Sequence, residues 1–194
     1  MSLPPSEIPL GAMRFNSDSQ KLEYWMGSAW MQIQTFSPNL DGGVRGVWAG
    51  GRIPAPSFHN NIDFIALAAG GSTTDFGDLS QARGMGNAFG SRTKGFFMGG
   101  QGNSPNVYND RSDSIVFAST GNAADFGDLV TAAGRSSATS DRIRGVIFSG
   151  YSPSVNNTIE VLTIQTTGNS KDFGDTYKST HSPGTASNAH GGLS

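Results

Sequence analysis

The tetrapeptide Asp-Phe-Gly-Asp stands at residues 75–78, 125–128 and 172–175, and its surroundings recur with it. Ten residues before the first Asp of each copy stands Ile65, Ile115 or Leu162, and two before that Asp63, Asp113 or Glu160. Gly71, Gly121 and Gly168 lie in register between them. Seventeen residues after the last Asp come Gly95 and Gly145, in KGFFMGG and RGVIFSG, and RGVWAGG at 45–51 is their earlier copy. The same count from Asp175 lands on Gly192. Self-similarity at a fixed period marks a repeat architecture in which each unit needs its neighbours to bury its apolar face. The chain carries three such units of about 49 residues.

Each unit reads as strands. GVWA, GFFM and GVIF are apolar runs too short for helices. IDFIAL, SIVFA and IEVLTI are rich in β-branched and aromatic residues and apolar on both faces, the pattern of a strand covered on both sides. A weaker strand is expected around MGNAFG and SSATS, and the Gly-Asn of STGNA has the chemistry of a hairpin turn. Glycine makes up 27 of 194 residues and charged residues only 14%; ordinary domains carry ~7% and ~25%. Short strands joined by tight turns suit that composition, because glycine alone reaches positive φ without strain. The expected fold class is all-β. Three four-stranded units would be arranged as propeller-like blades or, alternatively, as the pseudo-threefold of a β-trefoil.

Asp-Phe-Gly is also the metal-binding triplet of protein kinases. That chemistry needs a glycine-rich phosphate loop, a strand lysine and a catalytic loop around a single copy, and the sequence has none of them. The structural reading makes Phe76, Phe126 and Phe173 equivalent buried anchors of the repeat. The following glycine supplies a turn or bulge, and the flanking Asp bonds backbone amides. The acids in register, Asp63, Asp113 and Glu160, are expected to meet Arg45, Lys94 and Arg144 across strands.

Several function classes fall away. A net charge of −2 with dispersed cations gives no footprint for nucleic acid. No apolar run approaches the ~20 residues of a membrane helix, so no membrane insertion is expected. The opening MSLPPSEIPL lacks the regions of a signal peptide, and the absence of cysteine removes disulfides and thiolate chemistry. His59, His181 and His190 have no ligand spacing around them, D-x-x-D is too short for a calcium loop, and no acid/base carboxylate pair stands out. The expectation is a non-enzyme with no catalytic, cofactor-binding or metal-binding residue.

Four segments are expected. Residues 1–10, with three prolines, form a flexible arm. Residues 11–35 form a β-meander for attachment or oligomerisation, too small to be stable alone, with Tyr24, Trp25 and Trp30 as candidate assembly residues. Residues 36–178 hold the three repeats, and 179–194 form a C-terminal strand or flexible tail. The repeats differ in one loop each: RIPAPSFHNN, QGNSPNVYNDRS and YSPSVNN. That confines variation to one face, the usual binding face of a repeat protein, with Phe58, His59, Tyr108, Asn109 and Tyr151 as candidate partner or receptor contacts.

Diglycines closing an apolar strand, at Gly50–Gly51 and Gly99–Gly100 and weakened to Ser149–Gly150, resemble those of kelch-type propeller blades, although the usual kelch Tyr and Trp positions are not evident. More specifically, RGVWAGG and STGNAADFGDL resemble repeats in virion proteins of tailed bacteriophages, particularly phages of marine cyanobacteria. GAMRFNSDSQKLEYWMGSAWMQI at 11–33 is similar to a segment of tail-fibre and other surface proteins of such phages. Arg14, Phe15, Asn16, Leu22, Glu23, Gly27, Trp30 and Ile33 stand at the matching positions. The resemblance implies a virion surface component, made in the host cytoplasm, tail-associated or on the capsid. Its partners would be copies of itself, a trimer by expectation, and other capsid or tail proteins. The alternative is a host-recognition module that binds a surface glycan or receptor through the aromatic loops.

Overall fold

The computed structural model describes residues 8–17, 21–33, 45–54, 57–104 and 107–187. Residues 1–7 of the expected arm at 1–10, the loop positions 55–56 and 105–106, and the tail from 188, with His190, lie outside them. The chain forms two compact units, Met1–Leu40 and Asp41–Ser194.

The smaller unit is the expected meander. Strands β1 (Met13–Asn16), β2 (Lys21–Trp25) and β3 (Trp30–Gln32) pair antiparallel in sequence order. The register sets Met13 opposite Tyr24, Phe15 opposite Leu22 and Tyr24 opposite Met31. Side chains alternate across a strand, so these five residues share one face. Arg14, Glu23, Trp25 and Trp30 occupy the other.

The larger unit is three antiparallel sheets. The first holds β4 (Arg45–Ala49), β5 (Asn61–Ala66) and β6 (Thr74–Asp78). The second holds β7 (Asn87–Gly90), β8 (Lys94–Met98), β9 (Arg111–Val116) and β10 (Ala124–Asp128). The third holds β11 (Ser137–Ser140), β12 (Arg144–Tyr151), β13 (Val155–Thr163) and β14 (Lys171–Asp175). Among the described residues there is no helix. Each sheet is an up-and-down meander in sequence order, as in a propeller blade. The Asp-Phe-Gly-Asp stretch is the last strand of its sheet.

That strand bulges at the phenylalanine. Asp125 pairs with Asp113 and Gly127 with Ser112, which leaves Phe126 as the extra residue, and the same shift recurs at Phe76 and Phe173. The glycines take φ of 146°, 142° and 136°, values that favour glycine. Each first Asp accepts the amide of its glycine, at 3.1 Å for Asp75 to Gly77, 3.2 Å for Asp125 to Gly127 and 3.1 Å for Asp172 to Gly174. The bulge frees backbone atoms of this edge strand, and the next unit takes them. The Gly121 amide donates to the Phe76 carbonyl at 2.7 Å, and the Gly168 amide to Phe126 at 2.8 Å. Asp78 and Asp128 carbonyls accept from Ala123 and Ser170. The Asp78 and Asp128 amides donate to the side chains of Asn122 and Asn169, each at 3.1 Å. The Gly-Asn pair is therefore a connector to the preceding unit and lies beyond the hairpin turn proper. A Cβ at Gly77 or Gly127 would stand 2.4 Å from the facing Gly121 or Gly168 oxygen.

Two apolar clusters fill the two junctions. Phe76, Ile62 and Leu79 of the first unit meet Phe97 and Ile115 of the second, with Phe117 and Ala123 alongside. Phe96, Met98, Phe126 and Leu129 of the second unit meet Ile147, Leu162 and Ile164 of the third. On β8, Phe97 points back to one neighbour while Phe96 and Met98 point forward to the other.

Four strands are expected per unit, but the first sheet has three among the described residues, because the weak strand after each tetrapeptide (β7, β11) pairs into the following sheet. Two further expectations are corrected by this arrangement. Phe76 and Phe126 are each 3% exposed, but Phe173 is 56% exposed, because among the described residues no further unit lies over it. The acids in register do not meet the cations either. Asp63 lies opposite Trp48, Asp113 opposite Phe97 and Glu160 opposite Ile147, each out of step with Arg45, Lys94 and Arg144. Asp113 and Glu160 reach the preceding unit instead, and Arg144 pairs with Asp141 at 3.1 Å.

Candidate functional site

The three variable loops do come together at one end of the sheets. The Phe58 amide donates to the Asn103 side chain at 2.5 Å, joining the first loop to the second. Tyr108 and Tyr151 sit edge to face with centroids 5.7 Å apart, joining the second to the third. His181, from the segment after β14, meets Tyr151 at 6.2 Å, and the Arg135 guanidinium lies 5.5 Å above the Tyr151 ring.

The loop residues differ in what they can contact. Phe58 is buried and covers Gly84, where a Cβ would stand 2.4 Å from its ring. Its ring is a packing residue. Tyr108 covers Gly134 in the same way in the next unit, at 3.1 Å, but stays half-buried, as do His59, Asn109 and Tyr151. The half-exposed tyrosines, with exposed Arg135 and His181, make a small aromatic and cationic patch.

Between β4 and β7 runs a groove of about 230 Å³, lined among others by Val47, Trp48, Met85, Asn87 and Phe97. Arg83 forms part of its wall. Its Nη2 bonds Asp113 at 2.9 Å and the Phe97 carbonyl at 3.0 Å, while Nη1 has no partner among the described residues. Burial pushes the Arg83 guanidinium below its ordinary value, and the Asp113 charge opposes the shift. Asp113 also accepts the Ser80 amide at 3.0 Å and its hydroxyl at 2.7 Å. Glu160 has the same role at the following junction, accepting the Val130 and Thr131 amides at 2.9 Å and the Ser170 hydroxyl at 2.6 Å. The acid in register thus pins the turn that follows the bulge of the preceding unit.

In the meander, Trp25 is buried and packs on Trp30 at 5.4 Å, so of the expected assembly residues only Tyr24 lies on the open apolar face. Its companions there, Met13, Phe15, Leu22 and Met31, are all exposed. The alternation in MRFN and KLEYW carried the signal that singles them out. Behind them Arg14 lies 4.2 Å above Trp30 and pairs with Glu23 at 2.9 Å. The Arg14 and Asn16 hydrogen bonds hold the Glu23 carboxyl below its ordinary value.

Among the described residues no group of three His, Cys, Asp or Glu side chains could hold a metal ion, and no helix is long and apolar enough to cross a membrane. A scan against protein-family models finds no match for the chain, and a search of curated proteins finds no matching relative.

Proposed function

We propose that the chain is a non-enzymatic structural subunit of a phage particle, tail-associated or on the capsid surface. It works by binding copies of itself and neighbouring virion proteins. The particle assignment rests on the resemblance of residues 11–33 and of the repeats to phage surface proteins. The assembly role rests on one observation above all. The meander keeps five large apolar side chains, Met13, Phe15, Leu22, Tyr24 and Met31, together on an exposed face. A contiguous exposed apolar patch marks an interaction site. The buried carboxylates Asp113, Glu160 and Glu23 engage neighbouring amides, hydroxyls and cations, which suits scaffolding better than acid/base work.

The test introduces Phe15→Asp and Leu22→Asp together in the full chain and follows its incorporation into purified particles. The expected result is loss from the particle with an unchanged melting midpoint for the repeats. Undiminished incorporation refutes the reading. The Tyr108, Tyr151, His181 and Arg135 patch supports a second reading, host-glycan recognition by ring stacking. Tyr108→Ala and Tyr151→Ala would then lower adsorption to host cells while leaving incorporation intact.

A further inference from the structure

Among the described residues, the repeat array carries one unmatched copy of each half of its own junction. At the tail end, Phe173 is 56% exposed where Phe76 and Phe126 are buried. Val146 and Phe148 are half-buried where their counterparts Phe96 and Met98 are fully buried. Among the described residues, a Cβ at Gly174 would meet nothing within 4 Å. Among the described residues, Phe173 and Asp175 make no counterpart of the bonds that Phe76, Asp78, Phe126 and Asp128 make to the next unit. At the head end, Trp48 is 42% exposed where its counterparts Phe97 and Ile147 are 8% and 3%. Leu67 is exposed where Ile164 is buried. The amides of Gly71 and Thr73 stand at the positions of the donors Gly121 and Ala123, with no acceptor among the described residues.

We propose that the head end of one copy docks on the tail end of a second copy, repeating between chains the junction that occurs twice within the chain. Gly71 of one copy donates to the Phe173 carbonyl of the other, and Thr73 to the Asp175 carbonyl. The Ser72 hydroxyl takes the place of Asn122 and Asn169 in accepting the Asp175 amide. Asp63, in register with Asp113 and Glu160, accepts the amides of Tyr177 and Lys178 just past the bulge. Trp48 and Leu67 cover Phe173, as Phe97 and Phe117 cover Phe76.

The chain after β14 already follows the path that leads into a next unit. The Ser182 amide donates to the Arg135 carbonyl at 2.5 Å, as the Arg135 amide does to Met85 at 2.6 Å. The Thr185 hydroxyl then donates to the Ala138 carbonyl of β11 at 2.8 Å. Head and tail are different surfaces, so the contact is heterologous and either closes a ring or grows without end. Propellers typically close with 4–8 blades. Two copies bring six units and fall inside that range, whereas the trimer expected from sequence would bring nine. For a chain of three units, that count gives a two-copy ring.

This deepens the assembly reading, but it is read out on the purified protein alone, so failure to pair and failure to join a particle are separate results. The experiment is sedimentation equilibrium on the full chain and on two variants, Phe173→Asp and Trp48→Asp, whose altered side chains are exposed. All three, the wild-type repeats included, carry Phe15→Asp and Leu22→Asp so that the meander face adds no contacts of its own. Unchanged thermal unfolding of the dissociated chain shows that each variant is folded. The wild type is expected at twice the 20.3 kDa of one chain, and each variant at a single chain mass. An equimolar mixture of the variants regains a two-chain species at high concentration, because the tail of Trp48→Asp still fits the head of Phe173→Asp. A monomeric wild type, an assembly of more than two chains, a variant that keeps the wild-type mass, or a mixture that stays monomeric overturns the proposal.

Discussion

Replacing Phe126 and Phe173 by alanine separates burial from sequence identity, because both sit at the same position of the same tetrapeptide. Phe126 is 3% exposed and packs edge-on against Phe96 with centroids 5.0 Å apart. Leu129, Leu162 and Ile147 belong to the same cluster. Truncating such a ring loses its transfer free energy and leaves a cavity, costing about 3–5 kcal/mol. Phe173 is 56% exposed. Full burial of a Phe is worth about 1.5–3 kcal/mol, so roughly half-covering it contributes about 1 kcal/mol, with no cavity left behind. For a domain of this size a kilocalorie moves the melting midpoint by about 2–4 °C. Phe126→Ala should therefore lower it by about 6–20 °C and Phe173→Ala by about 2–4 °C. Calorimetry in a Trp48→Asp background keeps association between copies out of the comparison. Equal losses at the two sites would refute the open-ended stack, and no loss at Phe126 would refute the anchor role.

Two further outcomes follow from the buried charges. Asp113→Ala strands the Arg83 guanidinium without its carboxylate and should cost about 3–5 kcal/mol in urea unfolding. Adding Arg83→Met to Asp113→Asn, which keeps an acceptor for the Ser80 amide, should recover at least half of that. In the meander, Glu23 has a lowered folded-state pKa set by Arg14 and Asn16. Its stabilisation is present above the ordinary carboxylate range and is lost as pH falls below about 4. Tryptophan fluorescence of the wild type should show a transition there that Glu23→Gln lacks.

What the sequence could reveal was chemistry confined to a few neighbouring residues. The bulge was legible because an Asp accepting an amide two residues on, and a glycine held at positive φ, are local requirements. The strands were legible from β-branched runs, and the meander from its turns. The roles of Asp113 and Glu160 were not legible, because they depend on the strand register and on which unit follows in space. Phe173 was misread for the same reason. Its tetrapeptide is identical to the others, and only the neighbouring unit decides whether the ring is covered. In the loops, composition singled out aromatics without separating Phe58, which closes over Gly84, from Tyr108 and Tyr151, which keep part of their rings in solvent.

If the tetrapeptide bulge connects the units and both ends of the array stand open, as they do among the described residues, the connecting amides must differ in protection. Amide hydrogen exchange reads this at Gly71, Gly121 and Gly168 in the Phe173→Asp chain. Gly121 and Gly168 donate to Phe76 and Phe126 and should exchange only with large-scale opening. Gly71 occupies the same position without an acceptor among the described residues and should exchange at close to the free-chain rate. Equal protection at all three, or fast exchange at Gly121 and Gly168, would contradict it.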